Sequence, residues 1–115
     1  MAEGVVKVSA VAESIKDVAV YDKTMVWNTD LMEALELDNL ACQAMVTMAS
    51  ADNRKESRGA HAHEDYGDRD DKKWMKHTLA WYDGDKNTVK IDYRPVHDYT
   101  MSDGIDYIKP KKRVY

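Results

Sequence analysis

The spacing of hydrophobic and polar positions along this chain changes once, near residue 71. Before that point apolar residues recur every three or four positions, which is the spacing of a helix with a covered face. After it they alternate with polar residues, a pattern typical of a half-buried strand. The chain is therefore expected to form its helices first and its strands second.

The first predicted helix covers residues 3–16. Its apolar side chains share one stripe although most are β-branched, and they are Val5, Val8, Val11, Ala12 and Ile15. Two short apolar runs, 18–21 and 24–27, flank Asp22 and Lys23. These runs predict an extended connector that packs against the rest of the chain.

A long central helix is predicted over residues 28–56. Asn28 or Thr29 can cap its start, and acidic side chains gather in its first half, as the helix dipole favours. Arg54 stands near its other end, and Gly59 is expected to supply the stop. Its apolar positions cover more than one narrow stripe, so partners are expected on two sides.

A β-hairpin is predicted over residues 74–94. Residues 83–87 supply the turn, and Pro95 is expected to end the second strand. The side chains expected to face the core are Met75, His77, Leu79 and Trp81 on the first strand and Val89, Ile91 and Tyr93 on the second. On this interpretation His77 is a hydrogen-bonded core histidine.

A loop over residues 57–73 precedes the hairpin, and an extended arm over residues 95–115 follows it across the surface. The basic cluster at 109–113 is typical of a solvated tail. Together these elements predict an α+β chain, mainly helical: a helical-bundle fragment with one long central helix, followed by a β-hairpin and an extended C-terminal arm. Residues 1–115 are expected to form a single domain.

Composition argues against several classes of function. A chain of 115 residues is long enough for one domain but not for separate cofactor and substrate domains. The net charge of −4 argues against a nucleic-acid partner, because neutralising phosphates needs a surplus of Lys and Arg. No apolar run approaches the roughly 20 residues that cross a bilayer, so the isolated chain is expected to be soluble, without membrane insertion. The single cysteine, Cys42, excludes an internal disulfide and is expected to be buried and inert.

The segment SRGAHAHEDYGDRDD, residues 57–71, carries the candidate chemistry. In an extended segment His61 and His63 would share one face and could present both imidazoles to a divalent metal. Their short spacing and the lack of a second histidine pair make them weak metal candidates. The acidic residues around them are typical of a solvated or salt-bridged loop. No nucleophile elbow and no glycine-rich phosphate loop occurs, so the residues alone indicate no catalytic or cofactor-binding group.

Several blocks of this sequence occur in the order and spacing of a known family, from about residue 4 to Tyr115. The blocks are WNTDL at 27–31, ELDNL at 36–40, NRKESRGAH at 53–61, RDD at 69–71, WMKHTL at 74–79 and DYRPV at 92–96. They resemble the C-terminal part of the flavoprotein subunit of succinate dehydrogenase and fumarate reductase. Because several independent blocks agree in register, the resemblance is specific.

The resemblance implies that this chain is the tail of a much longer oxidoreductase subunit of the tricarboxylic acid cycle and electron transport. FAD and the groups that grip the dicarboxylate would lie in upstream domains, so the isolated chain is expected to hold no cofactor and to be inactive. The implied partners are the parent's flavin-binding domain and an iron–sulfur subunit. The implied location is peripheral, at the cytoplasmic face of the bacterial inner membrane or the matrix side in mitochondria.

The resemblance carries no catalytic role to the 57–71 segment. Ser57, Arg58 and His61 are expected to be interdomain or structural residues, with Arg58 and His61 pinning the end of the long helix to neighbouring chain. The family commonly has arginine in place of His63, so a contact made by that arginine is expected to be weaker or pH-dependent here. A free-standing metal- or partner-binding module that uses His61 and His63 stays open as the alternative function.

Compared with the family, the first long helix of the bundle would precede residue 1. A central helix without that partner exposes an apolar groove, and such grooves recruit a second copy or cause aggregation. The isolated chain is therefore expected to self-associate.

Overall fold

The computed structural model describes residues 1–111, which form helices followed by a two-stranded sheet. The predicted α+β architecture with mainly helical content is confirmed. The elements in chain order are helix α1 at Ala2–Ser14, a 3₁₀ turn at Ile15–Asp17, helix α2 at Thr29–Asn53, a short helix α3 at Asp71–Trp74, and the antiparallel strands β1 at Lys76–Asp83 and β2 at Thr88–Pro95.

Helix α2 lies between α1 on one side and the β-hairpin on another, as its wide apolar surface predicts. The two long helices approach closely at Gly4, where an added Cβ would come within 2.5 Å of the Met48 methyl carbon. Ala41 and Met45 of α2 are the buried apolar side chains in the described part of the chain. Cys42 lies beside them but is only half-buried, so the expectation of a buried thiol was wrong. The chain's own core is therefore small.

The start of α2 is held by the buried side chain of Asn28, as predicted. Its Oδ1 accepts a hydrogen bond of 2.9 Å from the Leu31 N–H, which is one of the unpaired donors of the first turn. Its Nδ2 donates to the carbonyl oxygens of Asp22 and Thr24 at 2.9 and 2.8 Å. One side chain therefore caps the helix and fixes the end of the connector before it.

Helix α2 ends at Asn53 rather than near residue 56, and Gly59 is not its stop. Arg54 already has an extended backbone, with φ −81° and ψ 96°. Gly59, at φ +57°, belongs to a separate tight turn closed by mutual backbone hydrogen bonds between Arg58 and His61. A positive φ at the first central position of such a turn favours glycine. The prediction was wrong because the residues from Arg54 onwards leave the helix to make side-chain contacts.

The face of β1 that packs against α2 is not the predicted one but the opposite one. Its register pairs Thr78 with Tyr93 and Ala80 with Ile91, and directly opposed residues point to the same side of a sheet. The predicted inner faces of the two strands therefore lie on opposite sides. His77 is exposed, so the prediction of a core histidine was wrong.

Contacts with the helices confirm which face of β1 is inward. Thr78 accepts a hydrogen bond from Arg54. Burial raises the pKa of the Tyr82 phenol, and the neighbouring Cys42 and Asp38 of α2 raise it further. The strand offers large apolar groups on both faces, so alternation alone did not decide between them.

The turn of the hairpin reaches α1. Asn87 has a positive φ of 49°, and its Nδ2 donates to the carbonyl oxygen of Ser9 at 3.1 Å. The Tyr82 hydroxyl donates to Asn87 Oδ1 at 3.1 Å. The turn thus contacts both its own strand and the first helix, and β2 ends at Pro95 as predicted.

The connector between α1 and α2 contains no helix or strand, and most of it does not pack, contrary to prediction. Its apolar side chains are largely exposed, with Tyr21 at 88%, Met25 at 84%, Val26 at 73% and Trp27 at 94%. The arm from residue 96 to 111 contains no helix or strand and exposes Met101 and Ile108. Of the basic cluster at 109–113, residues 109–111 are exposed, and Lys112 and Arg113 lie outside the described residues.

The chain exposes far more surface than a compact protein of its size. Its accessible area is 9395 Å², whereas about 6,400 Å² is typical of a folded monomer of 13.2 kDa. Its radius of gyration is 19.6 Å, against roughly 13 Å for a compact domain of this length. Along the described residues, no helix is both long and apolar enough to cross a membrane.

Replacing Asn28 with alanine tests the start of α2. We expect Asn28→Ala to lower the free energy of unfolding by about 1–2 kcal/mol, because it removes the cap and two further hydrogen bonds. The matched control is Asn39→Ala, on the exposed surface of the same helix, which should change stability by less than about 0.5 kcal/mol. Urea unfolding followed by circular dichroism gives both values. Equal losses for the two variants would contradict this account of Asn28.

Candidate functional site: the buried carboxylate of Glu56

Three charged residues alternate directly after α2: Arg54, Glu56 and Arg58. In extended chain, alternate side chains point to the same side, and here both arginines meet the carboxylate between them. Arg54 Nη1 donates to Glu56 Oε1 at 2.6 Å. Arg58 donates through Nε to Oε1 at 2.8 Å and through Nη2 to Oε2 at 3.1 Å. Glu56 itself is completely buried, with 0% of its surface exposed.

A backbone donor completes the shell of Glu56. The Asp70 N–H donates to Oε2 at 2.9 Å. The Asp70 side chain in turn caps helix α3, where Oδ1 accepts from the N–H groups of Lys72 and Lys73. The carboxylate therefore connects the segment after α2 to the start of α3.

Arg54 extends these contacts to the first strand. Nη1 donates to the Trp74 carbonyl oxygen at 3.0 Å, and Nη2 donates to the Lys76 carbonyl oxygen at 2.6 Å. The guanidinium carbon lies 5.3 Å from the centroid of the Trp74 ring, within cation–π range. Five donors in a planar fork allow one arginine to serve Glu56 and the hairpin together.

Arg58 makes a second ion pair, with Asp71. Its Nη2 lies 2.7 Å from Asp71 Oδ1, and Arg69 Nη2 lies 3.0 Å from Asp71 Oδ2. Arg69 also donates through Nη1 to the Lys111 carbonyl oxygen in the arm. We call the set of Arg54, Glu56, Arg58, Asp70 and Asp71 the Glu56 junction.

The opposite charges of Glu56 and the two arginines favour the ionised form of each group. Burial alone raises the pKa of Glu56, but hydrogen bonds from Arg58, the Asp70 N–H and Arg54 outweigh it, so the net pKa lies below the ordinary 4.5. The hydrogen bond to Glu56 is the main cause of a raised pKa at Arg58. Both groups are therefore charged at neutral pH, and the ion pair is intact.

The predicted structural residues surround this junction. Ser57 Oγ donates to the Tyr66 carbonyl oxygen at 2.7 Å and accepts from the His63 N–H at 2.9 Å. His61 Nε2 lies 3.1 Å from the Arg54 carbonyl oxygen, so this nitrogen carries the proton and donates. Together with the ion pairs of Arg58, these bonds tie the residues after α2 to the following loop. They are the kind of contact that a structural role for Ser57, Arg58 and His61 requires.

The rings of His61 and His63 lie near each other, and each uses one ring nitrogen for a hydrogen bond to the backbone. Their ring centroids are 6.2 Å apart, and the planes are inclined by 76°. His61 uses Nε2 for Arg54, and His63 Nδ1 accepts from the Asp65 N–H at 3.3 Å. His63 is buried against Tyr66, and its Nε2 has no hydrogen-bond partner among residues 1–111. The described chain contains no group of three or more His, Cys, Asp or Glu side chains placed to hold a metal ion.

The described glycines do not fit a flavin dinucleotide. A dinucleotide cradle needs a glycine-rich turn that opens onto a helix N-terminus. Gly4 lies inside α1 against Met48, and Gly59 lies in the turn between Arg58 and His61. Neither of these two glycines forms such a cradle.

The hydrogen-bonding capacity of Glu56 is fully used within the junction, and this limits the chemistry that the junction can perform. General acid–base catalysis needs a titratable group that can reach a substrate. Glu56 has no exposed surface, and four hydrogen bonds from two arginines and one backbone N–H occupy its oxygens. The arrangement suits a structural joint between elements.

Comparison with known sequences places the whole chain, residues 1–115, in a family described as "Fumarate reductase flavoprotein C-term". The chain belongs to this family. The resemblance noted from the sequence blocks is thereby confirmed, and the chain is the C-terminal part of a flavoprotein subunit of the succinate dehydrogenase and fumarate reductase type.

Individual relatives agree with this assignment. The chain is 55% identical over 113 residues to a succinate dehydrogenase flavoprotein subunit of Rickettsia bellii, covering 98% of this chain and 19% of that protein. It is 47% identical to a mitochondrial succinate dehydrogenase flavoprotein subunit of Oryza sativa subsp. japonica, covering 98% of this chain and 18% of the relative. The chain thus spans about a fifth of the length of these relatives.

A solved structure shares the fold. The FrdA chain of E. coli quinol fumarate reductase matches with a TM-score of 0.78 and 38% sequence identity. The match covers 96% of this chain and 18% of that chain. The helices and hairpin described above are therefore an arrangement found within a fumarate reductase flavoprotein.

Sequence reasoning overlooked the centre of the junction. Arg54 was interpreted only as a charge at a helix end, and Glu56 was given no role. The alternation Arg-x-Glu-x-Arg was the available signal, because it places opposite charges on one side once the helix stops. The signal was hidden because Arg54 and Glu56 were assigned to the predicted helix 28–56, whereas Arg58 was assigned to the loop that follows it.

Replacing Glu56 with glutamine tests the junction. Glu56→Gln keeps the shape of the side chain but leaves two arginines without a buried counter-charge, so we expect a loss of about 3–5 kcal/mol at neutral pH. The control is Glu36→Gln on the exposed surface of α2, which should cost less than about 0.5 kcal/mol. The free energies come from urea unfolding, and a junction variant as stable as the control would refute the account.

The difference in stability between the unchanged chain and Glu56→Gln should depend on pH. Because the folded pKa of Glu56 is depressed, its stabilisation is present above the ordinary value of 4.5 and is lost as the pH falls through the folded pKa. The difference in stability between the unchanged chain and Glu56→Gln should therefore shrink on acidification below that value. A difference independent of pH would contradict a charged Glu56.

Proposed function

We propose that this chain is the non-catalytic C-terminal domain of a succinate dehydrogenase (fumarate reductase) flavoprotein subunit. On this proposal the parent subunit oxidises succinate to fumarate with FAD and passes the electrons to an iron–sulfur subunit. The observation that carries it is the match of 98% of this chain to 19% of a succinate dehydrogenase flavoprotein subunit. The chain's part is to fold beside the flavin-binding domain and support the assembly.

The distribution of contacts supports a docking role. The polar contacts are concentrated in the Glu56 junction, while the described chain buries few apolar side chains of its own. The exposed apolar connector and arm provide surface that other protein would cover. A domain of this kind contributes to activity by holding neighbouring protein in place.

On this proposal the FAD of the parent is bound outside this chain. The flavin and the groups that bind the dicarboxylate would belong to the part of the parent outside these 115 residues. The flavin-binding domain and the iron–sulfur subunit are the proposed partners. The proposed location is peripheral, through partner subunits, at the cytoplasmic face of the bacterial inner membrane or the matrix side in mitochondria.

A chimeric subunit tests this function. The matching C-terminal segment of the Rickettsia bellii flavoprotein subunit is replaced by this sequence, and flavin absorbance and dye-coupled succinate oxidation are measured. We expect the chimera to retain flavin absorbance and succinate oxidation. The Rickettsia bellii subunit truncated before this segment should lose both, and the isolated 115-residue chain should show neither. The unexchanged relative is the positive control.

Two results would overturn the proposal. Flavin absorbance and succinate oxidation by the isolated chain would show that the chain is catalytic by itself. Full flavin content and activity in the truncated relative would show that the domain is dispensable.

A further inference from the structure

Among residues 1–111, His63 is the only histidine that is buried, with 3% of its surface exposed. Its ring packs edge-to-face on Tyr66, with the two ring centroids 4.8 Å apart. Nδ1 accepts a hydrogen bond of 3.3 Å from the Asp65 N–H, so the neutral ring carries its proton on Nε2. That Nε2 is buried and has no hydrogen-bond partner in the described chain. A single hydrogen bond therefore holds the ring in one tautomer.

Asp65 offers the same ring nitrogen two alternative partners. Its backbone N–H donates to Nδ1, and its carboxylate Oδ2 lies 3.8 Å from that atom. The N–H can donate only to an unprotonated Nδ1, whereas the carboxylate can accept only from a protonated one. Shortening this distance to that of a charged hydrogen bond needs a shift of about 1 Å. The Asp65 side chain is 79% exposed, so it has room for that movement.

The other charged groups near the ring have partners of their own or lie farther away. Glu3 of α1 and Glu64 line a cavity of about 330 Å³ together with His63. Glu3 pairs with Lys7 at 2.6 Å, and Lys55, which lies over the Tyr66 ring, pairs with Asp52 at 3.7 Å. The titratable residues around the ring, besides Asp65, are Met1, Glu3, Lys55, His61, Glu64 and Tyr66. Within the described residues, Asp65 is the acidic group within 4 Å of His63.

A movement of residues 63–66 is transmitted to Ser57. The His63 N–H donates to Ser57 Oγ at 2.9 Å, and this hydroxyl donates to the Tyr66 carbonyl oxygen at 2.7 Å. The Tyr66 N–H donates to the His63 carbonyl oxygen at 3.0 Å. Ser57 directly follows Glu56 in the chain. A change at the His63 ring therefore reaches the Glu56 junction through one hydroxyl group.

We propose that His63 and Asp65 form a proton-dependent switch in the loop after α2. While the imidazole is neutral, the Asp65 N–H donates to Nδ1. When Nδ1 takes up a proton from water, that hydrogen bond breaks and the new Nδ1–H donates to the Asp65 carboxylate. Imidazole suits such a switch, because an unperturbed histidine changes its charge between about pH 5 and pH 8. The proposal concerns this loop alone and does not depend on the proposed function.

Nitrogen-15 NMR of the histidine rings, over a pH titration of the 115-residue chain, tests the switch. At high pH the His63 ring should carry its proton on Nε2. On acidification Nδ1 should gain a proton, and the amide signals of Ser57, Asp65 and Tyr66 should change with the same midpoint. Protection of the Asp65 amide against hydrogen exchange should fall in the same step. His77, which is exposed on β1, is the internal control and should titrate without moving these amide signals.

Removing the carboxylate tests the acidic state of the switch. Asp65→Asn keeps the backbone donor but removes the partner of the protonated ring, so His63 should take up its proton at a lower pH than in the unchanged chain. The matched control is Glu64→Gln, which removes a neighbouring carboxylate outside ion-pair distance and should move that midpoint less. Three results would each overturn the proposal: an Nδ1 proton at high pH, Asp65 amide signals that do not follow the His63 ring, or equal midpoints in the two variants.

Discussion

A carboxylate without access to water stays charged only when its oxygens receive strong hydrogen bonds. Glu56 meets this requirement with Arg54, Arg58 and the Asp70 N–H. Each donor comes from a different part of the local chain: the end of α2, the following turn and the cap of α3. Removing the carboxylate would leave all three parts without their common partner. The arrangement of helix, loop and hairpin depends on this group.

The sequence predicts those features of the fold that depend on residues close to one another in the chain. The change of period, the Asn28 cap and the turn at 83–87 depend on neighbouring residues, and the structure contains them. The hairpin face was misassigned because Leu79 and Trp81 on one side compete with Ala80 and Tyr82 on the other. Only the register against β2 and the contact with α2 decide between them.

The site was harder to predict than the fold, because two of its central residues, Arg54 and Glu56, were placed in a helix and because Glu56 also binds a residue distant in the chain. Glu56 and Asp70 are brought together by the loop between them, and no local spacing reveals that. The repeated histidines attracted attention because imidazole is a common metal ligand. In the structure His61 binds a carbonyl oxygen instead, and His63 packs on Tyr66.

The chain combines a well-bonded junction with a large exposed apolar surface. The junction satisfies its polar groups internally, while the connector leaves Trp27 and Met25 outside. This division suits a domain whose polar contacts set its own shape and whose apolar surface meets other protein. Membership in the flavoprotein C-terminal family agrees with it, since the chain spans about a fifth of its relatives.

Amide hydrogen exchange at Asp70 tests the importance of Glu56 most directly. If the Glu56 junction holds the local elements together, the Asp70 amide should exchange as slowly as the amides in the middle of β1 and should open with them. Fast exchange at Asp70, at the rate of the Met25 amide in the exposed connector, while β1 stays protected, would contradict the account.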